Sequence, residues 1–101
     1  MGETVVGWFF SASHRDIVRG GELHGHTYEV RVAFDANPPR DALALQAKLR
    51  LTLEAAFDHK TLPDDLSRAE QMAEALANLL GDCLWVEVWR PAERLGARWC
   101  T

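Results

Sequence analysis

The sequence predicts an α+β fold in the order ββααββ, an antiparallel sheet with two helices on one face. Three observations across its 101 residues carry that prediction. Apolar side chains alternate with polar ones in two stretches of the first third and again near residue 85. The middle of the chain carries apolar residues at helical spacing, and Pro and Gly fall between the stretches. Strands at the two ends with helices between them suit helices gathered on one side of an antiparallel sheet.

The first strand is expected over Thr4 to Ala12. Val6, Trp8, Phe10, Ala12 and His14 share one parity, while Ser11 and Ser13 take the other. The second runs from His24 to Phe34: Tyr28, Val30, Val32 and Phe34 face one way, Thr27, Glu29, Arg31 and Ala33 the other. Asn37-Pro38-Pro39 ends it, and Asp41 is placed to cap a helix. From Ala42 to Phe57 the apolar residues fit either period. Composition decides for helix, because Thr52 is the one β-branched residue among Ala, Leu, Gln, Lys, Arg and Glu.

Ser67-Arg68-Ala69-Glu70 reads as a capping box before a second helix. Its buried stripe is Ala69, Met72, Ala73, Leu76 and Leu79/Leu80, and Gly81 stops it. Leu84, Val86 and Val88 alternate with Trp85, Glu87 and Trp89 in a third strand before a turn at Pro91. Ala97 to Cys100 supplies a short fourth strand.

A chain of this length forms one domain, residues 1–101, with enough surface to bury a core. A net charge of −4 and the absence of basic clusters argue against a nucleic-acid surface. No apolar run is long enough to span a membrane and no leader pattern opens the chain, so a cytoplasmic location is expected. Cys83 and Cys100 are too few for a zinc ribbon or a disulfide framework and read as inert thiols. The four tryptophans are expected in the core and in subunit contacts.

Three of the four histidines fall between His14 and His26. His24 and His26, two apart on a strand, point to one face and can converge on one ion. His14 from the neighbouring strand would complete a three-histidine zinc site with its fourth position open, the arrangement of catalytic rather than structural zinc. Both strands give these residues the parity of the apolar set, which equally suits hydrogen-bonded core imidazoles.

Phe10-Ser11-Ala12-Ser13-His14, then His24-Gly25-His26-Thr27-Tyr28-Glu29-Val30, then Phe57-Asp58-His59-Lys60 together resemble the 6-pyruvoyl-tetrahydropterin synthase family. That family includes the 6-carboxytetrahydropterin synthases of queuosine biosynthesis. The resemblance runs in order along nearly the whole chain. It implies the tunnelling fold (T-fold), in which ββααββ subunits join their sheets into a barrel, commonly as hexamers, with sites at subunit interfaces. It implies zinc on His14, His24 and His26, and an acid/base His59 oriented by Asp58. The implied partners are a small pterin-like substrate and further copies of the chain. The family reaction converts dihydroneopterin triphosphate: zinc holds the side-chain hydroxyls, a protein base moves protons, and triphosphate or a carbon fragment leaves.

Three positions depart from the family pattern. Gly20 stands where the family carries its proton-abstracting Cys. Some relatives place a Glu one position later; here that position is Gly21 and Glu22 follows it, a candidate base out of register. Arg90-Pro91 stands where the late strand usually ends in Glu-Thr, whose Glu clamps the pterin ring. Glu87 lies on the opposite strand face from Arg90, and Glu93 lies in the turn. The family's Pro-Thr-x-Glu before the second helix is reduced to Ser67-Arg68-Ala69-Glu70. Arg15, Arg19 and Lys60 could meet a triphosphate or form ordinary surface.

The residues therefore point to a zinc-dependent lyase or synthase of the pterin type, acting on dihydroneopterin triphosphate or a related purine- or pterin-like heterocycle. A non-catalytic zinc-binding T-fold protein and an enzyme with a different substrate are the alternatives.

Overall fold

A computed structural model describes residues 2–16 and 20–101, without the side chains of Asp16 and Glu22. Strands β1 (Glu3–Asp16) and β2 (Glu22–Asp35) are followed by helices α1 (Ala42–Ala56) and α2 (Ala69–Leu80), then β3 (Trp85–Arg90) and β4 (Leu95–Cys100). A 3-10 turn at Asp64–Leu66 precedes α2. The strands form one antiparallel sheet in the order β1-β2-β3-β4.

Both early strands are longer than their apolar alternation. Pairing continues past Phe10↔Tyr28 through Ala12↔His26 to His14↔His24 and Asp16↔Glu22. Polar contacts take over there, with Ser11 and Thr27 hydroxyls 3.1 Å apart. Fourteen residues at about 3.3 Å each make a ribbon of roughly 46 Å, and the molecule is 47 Å along its longest axis. β3 pairs only with Glu29 to Ala33, so the histidine end of the β1–β2 ribbon runs on beyond the rest of the sheet.

One face of the sheet is the core. Val6, Phe10, Tyr28, Val30, Val32, Phe34, Val86 and Val88 are buried on it, while Val5, Phe9, Glu29 and Trp89 on the other face are exposed. α1 covers it with Leu49 and Leu53, and α2 with Met72, Ala73, Leu76, Ala77 and Leu80. Leu79 is exposed, because consecutive helical residues diverge by about 100° and only Leu80 lies in the stripe. Ala33, on the outer parity, is nevertheless buried. No tryptophan is fully buried: Trp8 and Trp85 are partly covered, and Trp89 and Trp99 are exposed.

Asp41 caps α1 as its sequence predicts, its Oδ1 accepting from Ala44 N–H at 3.2 Å. The cap of α2 sits one residue later than the predicted box. Arg68 is the N-cap residue, and its backbone N–H donates to Gln71 Oε1 at 3.0 Å. Ser67 belongs instead to the preceding turn, where its hydroxyl donates to the Asp64 carbonyl at 2.9 Å. Glu70 therefore has no part in the cap. Gly81 ends α2 at φ +79, where a side chain would be strained.

Candidate functional site

The three predicted histidines lie at the far end of the β1–β2 ribbon. His14 faces His24 across the strand pair, and Ala12 faces His26. The shared parity sets the rings side by side: the His14 and His26 centroids are 5.0 Å apart, those of His24 and His26 6.2 Å. His14 is buried. Its Nδ1–H donates to the Arg15 carbonyl at 3.2 Å, which leaves Nε2 as the lone-pair nitrogen. That Nε2 is buried with no hydrogen-bond partner among the described residues.

His26 is held differently. Its Nδ1 lies 2.9 Å from Glu93 Oε1, and Arg90 Nη2 stands 3.3 Å from Nδ1 and 3.2 Å from Nε2. Arg90 also donates to Glu93 Oε1 from Nη2 at 2.7 Å and from Nε at 3.1 Å. Burial and then the Arg90 guanidinium hold the His26 imidazole below its ordinary value, against the opposing pull of Glu93. The Arg90 hydrogen bond in turn holds Glu93 below the usual carboxylate range. Among the described residues, no three His, Cys, Asp or Glu side chains have donor atoms gathered around one point as an ion would require.

The Asp58-His59 pair reaches the same end of the ribbon from the helix side. α1 closes at Phe57, and His59 turns left-handed at φ +56. Residues 59–62 then run beside the outer edge of β1. His59 N–H donates to the Ser11 carbonyl at 2.6 Å, Ser13 N–H to the Lys60 carbonyl at 3.0 Å, and Leu62 N–H to the Ser13 carbonyl at 2.7 Å. Asp58 Oδ1 accepts the Ser11 N–H at 3.0 Å, and Oδ2 lies 2.9 Å from His59 Nδ1. The Ser11 amide, with the His59 ring beside it, holds the Asp58 carboxyl below the usual range. His59 and His26 line one open hollow of about 400 Å³, together with Ser11, Ser13, Gly25 and Lys60.

A second cleft of about 430 Å³ lies on the helix side of the sheet, between His14, Tyr28, Arg90 and the start of α2. Tyr28 forms part of its floor. Burial pushes the Tyr28 phenol up to about 12, and its hydroxyl has no hydrogen-bond partner among the described residues. Sequence reading takes Tyr28 only as a residue of the apolar strand face and sets Glu93 aside as a turn residue. Tyr28 carries the parity of a core residue, and Glu93 lies in a turn whose fold the strand pattern does not fix. Arg15 and Arg68 line this cleft, and Lys60 the other hollow. Glu22 begins β2, but its side chain lies outside the described residues, as does Arg19. Cys83 is buried, which raises its thiol, and Cys100 is exposed.

A long β-ribbon with histidines at its end, two helices on one sheet face and an Asp-His pair beside β1 define a T-fold. The solved structure of Caenorhabditis elegans 6-pyruvoyl tetrahydropterin synthase superposes on this chain with a TM-score of 0.73 at 18% identity. The match covers 100% of this chain and 97% of that one. A family profile described as 6-pyruvoyl tetrahydropterin synthase matches residues 5–95. The chain belongs to that family. No curated protein matches it in sequence. No helix among the described residues is long and apolar enough to cross a membrane.

Proposed function

We propose that the chain is a zinc-dependent synthase or lyase of the pterin type, with His14, His24 and His26 as the metal ligands. The observation that carries this reading is the buried, unpartnered Nε2 of His14 beside the His26 ring. A lone pair left bare in the interior is unfavourable by about 1–3 kcal/mol unless something binds it. Imidazoles sharing a tetrahedral ion at about 2.0–2.1 Å put their centroids roughly 5 Å apart, which agrees with 5.0 Å for His14 and His26. The 6.2 Å between His24 and His26 is wider, so His24 has to close in.

Zinc, when bound, would polarise the hydroxyls of a substrate side chain and make them easier to deprotonate. The proton transfer itself falls to the protein. Asp58 accepts the Nδ1–H of His59, so Nε2 is left as the basic nitrogen of a ring that lines the same hollow as His26. His59 is well exposed, as a group that exchanges protons with a visiting substrate must be. Glu22 is the remaining candidate for a second base, in place of the family Cys that Gly20 replaces.

Dihydroneopterin triphosphate or a related heterocycle is the proposed substrate. Arg90 supports a related ring over the usual one. It stands where the family has its ring-clamping Glu, and it is engaged by Glu93. A guanidinium presents only donors, and a pterin edge that also presents donors would go unmatched. Homo-oligomers with sites between subunits complete the proposal, because the β2 stretch from Glu22 to Thr27 has no strand on its far side among the described residues.

Metal analysis together with incubation with dihydroneopterin triphosphate and product mass tests this reading. Zinc near one per chain and a new pterin product are expected. Zinc without product would point to a related heterocycle or to a binding protein, and absence of zinc would overturn the site.

A further inference from the structure

We infer that Glu93, from the turn between β3 and β4, is the positioning residue that fixes the His26 ring for metal binding. The inference rests on the proposed zinc reading and adds a group outside the three histidines. A metal-binding imidazole commonly donates its second ring N–H to a carboxylate or carbonyl, which fixes the tautomer and raises the basicity of the ligating nitrogen. His14 has such a partner in the Arg15 carbonyl, 3.2 Å from Nδ1. His26 has the Glu93 carboxylate, 2.9 Å from Nδ1. Both rings thus turn the same nitrogen, Nε2, into a lone-pair donor.

Glu93 is itself held in place. Arg90 grips Oε1 through Nη2 at 2.7 Å and through Nε at 3.1 Å, so the carboxylate is anchored to the end of β3. Arg94, at φ +58, turns the chain straight after Glu93, and its N–H closes the hairpin onto the Arg90 carbonyl at 2.8 Å. Arg90 Nη2, 3.2 Å from His26 Nε2, is the contact an incoming ion has to displace. The Nε–Oε1 bond leaves Arg90 a second hold on the same carboxylate when it does so.

Three proteins test the assignment: the unaltered chain, Glu93→Ala and Glu93→Gln. Zinc affinity is measured by chelator competition, cobalt absorption reports the coordination number, and thermal unfolding without metal reports the fold. Glu93→Ala should bind zinc about tenfold to a hundredfold more weakly. Glu93→Gln should fall between the two, because its amide oxygen still accepts from Nδ1–H. The bound-cobalt coordination number should be the same in all three, and metal-free unfolding should change little. Unchanged zinc affinity in Glu93→Ala would overturn the inference. So would a lost cobalt ligand in that variant, which would make Glu93 a ligand rather than a positioning group. If the unaltered chain binds no zinc, the proposed function fails first and this inference with it.

Discussion

Asp58 and His59 are neighbours in sequence and still hydrogen-bond through their side chains, Oδ2 to Nδ1, at 2.9 Å. The left-handed turn at His59 makes this possible by folding the ring back over the preceding carboxylate. The same carboxylate ties the end of α1 to β1 through the Ser11 amide. One carboxylate thus ties α1 to β1 with one oxygen and holds the His59 ring with the other.

Substitution can separate these two tasks. Asp58→Asn keeps an oxygen for Ser11, so stability should change by about 1 kcal/mol or less, whereas Asp58→Ala should lose about 1–2 kcal/mol in urea unfolding. If the proposed reaction holds, His59→Ala should lower turnover by about 10²–10⁴. Asp58→Asn should lower it in the same direction, with KM little changed.

Acid titration of stability should show the same carboxylate. The Ser11 hydrogen bond holds the Asp58 carboxyl lower in the folded chain than in the unfolded one. Its contribution is therefore complete above the unfolded value of about 4 and is lost as pH falls through the lower folded value. Unfolding free energies measured from pH 6 downward should fall less steeply below about pH 4 in Asp58→Asn than in the unaltered chain.

Two glycines in the sheet should respond differently to alanine. A Cβ at Gly96 would run into the Val88 carbonyl and the Trp89 backbone, so Gly96→Ala should destabilise by about 1–3 kcal/mol. Gly25, between the two strand histidines, has open space where a Cβ would point and no left-handed backbone. Gly25→Ala should leave stability within about 0.5 kcal/mol. Urea unfolding of the two variants decides both.

The helical reading of α1 has a direct test in Leu53, which alternation alone would also allow on a strand. Leu49 and Leu53, one turn apart, are both fully buried, whereas Leu51 between them is exposed. Leu53→Ala should cost about 2–5 kcal/mol, and Leu51→Ala far less. Equal losses at the two positions would contradict a single buried stripe.

Element types were legible because burial follows parity on β1 and β2 and a helical stripe on α1 and α2. The His14–His24–His26 cluster followed from the same parity. What sequence could not supply lies where side chains meet across turns. The α2 cap moved because Ser67 is taken by the Asp64 carbonyl, leaving the Arg68 N–H to Gln71. Glu93 meets His26 where Arg90, sixty-four residues from that histidine, holds both. β4 is exposed along nearly its whole length, and its first residues carry no alternation to announce them.

The projecting ribbon leads to the last prediction. Beyond Glu29, β2 has no neighbour on its β3 side among the described residues, and Leu23 on that stretch is exposed. Unpaired strand edges attract other strands, and a second copy of the chain is the partner always present. Residues 59–62 cover the β1 edge near Ser11 and Ser13, so the open edge at this end belongs to β2. Sedimentation should therefore give a species larger than one chain. Leu23→Glu, which sets a carboxylate on the open edge, should shift it toward smaller species. A chain that sediments as a monomer at micromolar concentration would remove the interfacial site from the proposal, because His24 and His26 would then have to form the whole pocket with residues of their own chain.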